Sequence, residues 1–223
     1  MNRHATPRQT RRPQIFRSTS RGFAANAFRE DFDEENGAVS FSQISVSQAR
    51  QKFFRQRPFR SATLFVSSFE ESFDPVTGER TTTDISGFAE LTNDQFDVDR
   101  QLRSGFVDVE VILSGFTCTE QPPEPNGDGF GFDTECTPIG PDAAQADVVW
   151  TGQGAVGRSR FMDRFSTEGF RSSFRGSSTS RQATVAGGVQ GETIVIDFDG
   201  ADGSLARESS AEMFVVRGRT MFF

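Results

Sequence analysis

From Gly105 to Gly115 the chain reads GFVDVEVILSG, and the alternation inside that stretch sets the fold class. Val107, Val109, Val111 and Leu113 fall on one side while Asp108 and Glu110 fall on the other. A strand sends successive side chains to opposite faces, whereas a helix would scatter these residues around its axis. The segment therefore predicts a half-buried strand with its valines inward.

The same period runs outward in both directions. In ETIVIDFD (residues 192–199) Ile194, Ile196 and Phe198 share a face. ATLFVSSFEES (62–72) and RTTTDISGFAEL (80–91) flank FDPVTGE, where Asp74, Pro75 and Gly78 supply turn chemistry, so they predict a hairpin. ADVVWTGQG, GFRSSFRG, RQATVAGG and AEMFVVRG add further strands, each ended by glycine. SVSQARQKFFRQRPF (45–59) is the best helix candidate, with Ser47 as an N-cap and Pro58 as a stop, but it reads equally well as a strand and turn. Short strands separated by Gly, Pro, Asp and Ser point to an all-β fold. The expected architecture is a single antiparallel β-sandwich of jelly-roll or immunoglobulin-like type, with an extended basic N-terminal arm.

Charge divides the chain in the same way. Residues 1–29 hold seven arginines and no acid, whereas the remaining 17 basic residues face 31 acidic ones, so the net charge of −7 conceals a +7 arm on a −14 body. Residues 1–35 are read as an arm that is disordered or ordered by a partner, and 36–223 as the β-sandwich domain. In the arm, Arg3, Arg8, Arg11, Arg12, Arg17 and Arg21 are the candidate contacts to an acidic neighbour or a polyanion. At the other terminus, Met221, Phe222 and Phe223 are expected to pack across a subunit boundary.

SRFMDRFSTEGFRSSFRGSSTSR (159–181) alternates phenylalanine with arginine. On an acidic body the expectation is core phenylalanine with solvated arginine. Nucleic-acid binding needs exposed rings beside the cations and is expected, if anywhere, only through the arm.

Catalytic inventory is thin. The one histidine is His4, in the arm, which leaves no Ser-His or Cys-His pair on a rigid scaffold; the one lysine is Lys52. GQGAVG (152–157) matches a dinucleotide fingerprint in letters, but no crossover helix follows, so a strand-end bulge or turn explains its glycines better. Asp108 and Glu110, two apart on one strand face, are the named pair for a carboxylate hydrolase, against the simpler reading of a solvated acidic face. DFDGADGSLARE places Asp197, Asp199 and Asp202 in an acidic, glycine-rich loop that departs from the EF-hand pattern yet offers oxygen ligands for calcium.

Cys118 and Cys136, the only cysteines, bracket a Pro- and Gly-rich excursion and are expected to form a disulfide. That bond favours an extracellular or virion setting, although no signal peptide is visible. No apolar run is long enough for a membrane-spanning helix. Two functions follow as expectations: a non-enzymatic structural or assembly protein forming homo-oligomers or joining neighbouring subunits, and a ligand-binding module for a sugar or surface polymer, with calcium as a possible aid. Enzymatic activity is not expected.

Overall fold

The computed structural model describes residues 13–33, 37–92, 94–121 and 133–216. Its elements are strands β1 (Gln14–Asp33), β2 (Ala38–Phe53), β3 (Phe59–Phe73), β4 (Arg80–Glu90), β5 (Phe96–Val98), β6 (Ser104–Gln121), β7 (Asp133–Thr167), β8 (Phe170–Gln190), β9 (Val195–Asp197) and β10 (Asp202–Val216). The all-β, antiparallel expectation holds: every strand belongs to one ten-stranded sheet, and no helix occurs among the described residues. The 45–59 segment resolves as strand and turn. Residues up to Phe53 continue β2, and a turn precedes β3.

Consecutive strands are neighbours from β1 to β4, and β6, β7 and β8 follow β4 in the same manner. β10 pairs with β1 along one edge and with β8 along the other, so the sheet closes into a ring. Closure satisfies backbone groups that an edge strand would leave open. Short β5 pairs with β6, and short β9 with β8. The hairpin at FDPVTGE forms as expected, with Asp74 Oδ1 accepting from the Val76 amide at 2.8 Å and Gly78 at φ 74°.

Side chains facing the ring interior form the core. Leu205, Ala25, Val46 and Leu64 lie in one cross-strand row over β10, β1, β2 and β3, all buried. From the other side come Val107 to Leu113 at alternate positions of β6, and Ala144, Ala146, Val148 and Trp150 of β7. Asp108 and Glu110 face outward, as the alternation requires. Gly203 on β10 makes room for the Trp150 ring: a Cβ there would stand 3.0 Å from Cδ1. The link between β4 and β6 adds Phe96, Val98 and Leu102, all buried.

Residues 14–33, read from sequence as part of an arm, are strand β1, paired with the chain's own β10 over residues 14–28 and with β2 over residues 18–33. Their sequence hid this. Toward its N-terminal end β1 is polar or exposed on both faces, so no hydrophobic alternation betrays it.

Candidate functional site

At one end of the ring, β1, β2, β7, β8 and β10 run well past the buried core. Here alternation survives but burial does not. The face continuous with the interior carries arginine, and the opposite face carries phenylalanine. Phe161 is 46% exposed, Phe165 55% and Phe174 37%, so the core-phenylalanine expectation for residues 159–181 is overturned. These rings pack on one another along the outer face instead: Phe161 stacks on Phe174 at 5.4 Å, while Phe165 meets Phe170 at 6.2 Å and Phe170 meets Phe214 at 6.0 Å in tilted pairs. The physical reason is local. Once the strands extend beyond the packed interior, water reaches both faces, and facing inward no longer means being buried.

The arginine face is ordered by strand register. Arg60, Arg50 and Arg21 are direct cross-strand partners on β3, β2 and β1. The row continues through Ser209 on β10 and Ser177 on β8 to Arg160 on β7. Residues opposite one another in an antiparallel pair share a face, so all six lie on the side that the core occupies further down. Ser177 Oγ and Ser209 Oγ are hydrogen-bonded at 2.9 Å. One residue pair further along, Lys52 on β2 and Arg175 on β8 add to the same surface.

This surface is grooved. A groove of about 750 Å³ is lined by Arg21, Arg50, Lys52, Arg160 and Arg175 among others. An adjoining one of about 670 Å³ shares Arg21 and Arg50 and adds Arg60, Arg100 and Arg207. The single carboxylate lining either groove is Glu208, whose strand position belongs to the other face. Arg207 Nη1 donates to the Arg100 carbonyl at 3.0 Å, but among the described residues none of these basic groups forms an ion pair. The outward faces elsewhere carry exposed Asp84, Asp108, Glu110 and Asp147. At this end of the ring the strands therefore sort charge by face, whereas at the other end both signs share a face in the Arg29–Asp31 and Arg80–Glu71 ion pairs.

Of the sequence-stretch candidates, Arg17 and Arg21 lie on β1, Arg21 at the centre of the basic row. Arg3, Arg8, Arg11, Arg12, Met221, Phe222 and Phe223 lie outside the described residues. Cys118 and Cys136 are directly opposite on β6 and β7 and are bonded, with an S–S distance of 2.01 Å.

The acidic loop is differently employed. Asp197 accepts from Arg29 Nη1 at 2.9 Å and from the Asp199 amide at 2.9 Å, and Asp199 accepts from the Gly187 amide at 2.6 Å. The Asp199 amide, followed by the Arg29 guanidinium, holds the Asp197 carboxyl below its ordinary pKa. Asp202 opens β10, paired to Phe28 and Thr184. No group of three or more potential metal ligands comes together among the described residues.

Asp108 and Glu110 are exposed on the outer face, where Asp108 Oδ1 accepts from Gln145 Nε2 at 2.5 Å. GQGAVG lies within β7, and the register shift between Gln153 and Gly157 gives its glycines the bulge that the spacing suggested.

Sequence reasoning missed the basic row because its members are distant in the chain, from Arg21 to Ser209. Nothing in the local sequence around Arg50 or Arg60 marks either residue as part of a site. No family model and no curated protein matches this chain.

Proposed function

We propose that the protein is a non-enzymatic binding module that receives an anionic partner on the basic face at the extended end of its ring. One observation carries this reading: a chain of net charge −7 gathers arginines without carboxylate partners along one grooved face. In a concave site, cations of one sign raise the local concentration of an anion and speed its capture. Titration calorimetry with dextran sulfate and with neutral dextran at low salt tests it. Heat with the sulfate alone, weakening as salt rises, is the expected result; no heat with either polymer overturns the reading.

The body suits such a role. We read it as a sandwich-like, flattened ring, in which β10, β1, β2 and β3 lie over β4, β6, β7 and β8. Support comes from Trp150 on β7, whose Nε1 donates to the Asn26 carbonyl of β1 at 2.9 Å although these strands are not neighbours. The next-neighbour order is that of a meander, whereas jelly-roll and immunoglobulin-like sheets connect by Greek keys. The Cys118–Cys136 bond fits an oxidising setting.

A second reading is assembly into homo-oligomers, favoured by the phenylalanines of β7, β8 and β10 that pack ring against ring on the outer face. Size-exclusion with light scattering checks it. A strict monomer over a range of protein and salt concentrations counts against it.

A further inference from the structure

We infer that the row Arg60, Arg50, Arg21, Ser209, Ser177 and Arg160 is the binding track for an acidic polysaccharide that crosses the strands. This inference rests on the anion-binding reading above and specifies its ligand.

Placement of charge is the first argument. Arg21 stands directly opposite Arg50, and Arg50 directly opposite Arg60. Like charges facing one another across strands destabilise a sheet, and no carboxylate among the described residues relieves these three. An anion seated between adjacent guanidinium groups turns that repulsion into charge-assisted hydrogen bonds, which Arg makes in bidentate geometry with sulfate or carboxylate.

Spacing is the second. Neighbouring strands lie about 4.8 Å apart, so the three arginines span about 10 Å, and the six-strand row runs about 24 Å measured along the curved inner surface of the ring, which a bound chain would have to follow. A lone phosphate would use a small part of that length, whereas a linear chain with regularly repeated charges uses all of it. Between the cations, the hydroxyls of Ser209 and Ser177 offer donors and acceptors to uncharged sugar hydroxyls.

Aromatic placement decides between polymers. Binding of single-stranded nucleic acid draws on rings that stack with the bases, and Phe161, Phe165, Phe170, Phe174 and Phe214 all stand on the opposite face from the row. Phe23, which shares the row's face and lines the second groove, is half-buried against the core, and Phe161, which lines the first, is stacked on Phe174. Neither ring is free to stack with a base, so the basic face suits a polyanion without bases. Sulfated and carboxylated sugar chains share this chemistry.

The test uses the full-length protein with three probes in titration calorimetry: a short heparin fragment, an oligogalacturonate and an oligothymidylate. At least one glycan binds, and more tightly than the oligothymidylate. Arg50→Ser weakens that binding by about tenfold or more, the worth of one charge-assisted contact, and Arg50→Gln does the same with the side-chain bulk largely kept. Arg80→Ser, an equal change of charge on β4, opposite Phe73 at the other end of β3 from Arg60, alters it less than about twofold, as expected for a screened remote charge. Heparin binding alone assigns sulfate as the anion, and binding of both glycans assigns either group. Tighter binding of the oligothymidylate, or glycan binding indifferent to both Arg50 variants, overturns the inference while the anion-binding reading stands. Silence with all three probes removes both.

Discussion

The carboxylate of Asp142, on β7, accepts the amide hydrogen of Ile194 at 2.8 Å and so ties together positions 52 apart in the chain. The same carboxylate accepts from the Thr193 amide at 2.9 Å, the Thr193 hydroxyl at 3.0 Å and the Glu192 amide at 3.1 Å. At 6% exposure it is the one buried charged side chain among the described residues. The link from β8 to β9 wraps around it, and its amides have no strand to pair with. Asp142 supplies the missing acceptor, as buried donors require. Asp142→Ala should lower the calorimetric unfolding midpoint by about 5 °C or more. An unchanged midpoint would mean that the amides find other acceptors.

Acid should weaken the fold through the same residue and through Asp197. Both carboxyls are held below their ordinary value of 3.8, Asp142 chiefly by the amides of Thr193 and Ile194, Asp197 chiefly by the amide of Asp199. A depressed folded-state pKa gives stability that is present above the unfolded value and lost as pH falls through the folded one. Denaturant midpoints measured from pH 6 downward should therefore fall below about pH 4, and Asp142→Asn should flatten that decline.

Reduction of Cys118–Cys136 opens a covalent loop with a sequence separation of 18. Freeing it in the unfolded chain should cost about 3 kcal/mol of stability. Urea unfolding of the wild type with and without reductant reads this directly, and Cys118→Ser/Cys136→Ser should match the reduced protein.

Trp150, the only tryptophan, is fully buried. Its emission should lie to the blue in the native protein and move to the red on unfolding. Trp150→Phe leaves the Asn26 carbonyl without this donor and opens a gap against Gly203, at a cost of about 2 kcal/mol.

Arg50→Gln, measured without ligand, should not destabilise the protein. Removing one of three facing like charges should add about 0.5 kcal/mol in denaturant unfolding. A clear loss of stability would show that the basic row is supported internally rather than kept for a partner.

Several elements were legible in sequence for one reason: each has one apolar and one polar face. GFVDVEVILSG, ETIVIDFD and the hairpin at Asp74 to Gly78 announce their inward side by composition. β1 does not, because Arg17, Thr19 and Arg21 occupy inward positions at an end of the ring with no packed interior. The 159–181 stretch shows its period correctly and its orientation wrongly. Phenylalanine normally marks the buried face, but here the face was chosen by continuity with the core strands further down.

By itself the sequence determined the strand class, the turn positions, the disulfide partners and the scarcity of histidine and lysine, since these depend on local periodicity, local chain geometry or simple inventory. Only the tertiary structure decided that β10 closes the sheet onto β1, and that Arg21, Arg50 and Arg60 stand side by side. Pairing register between strands far apart in the chain is fixed by the packing of the shared core, and no single stretch of residues carries that information.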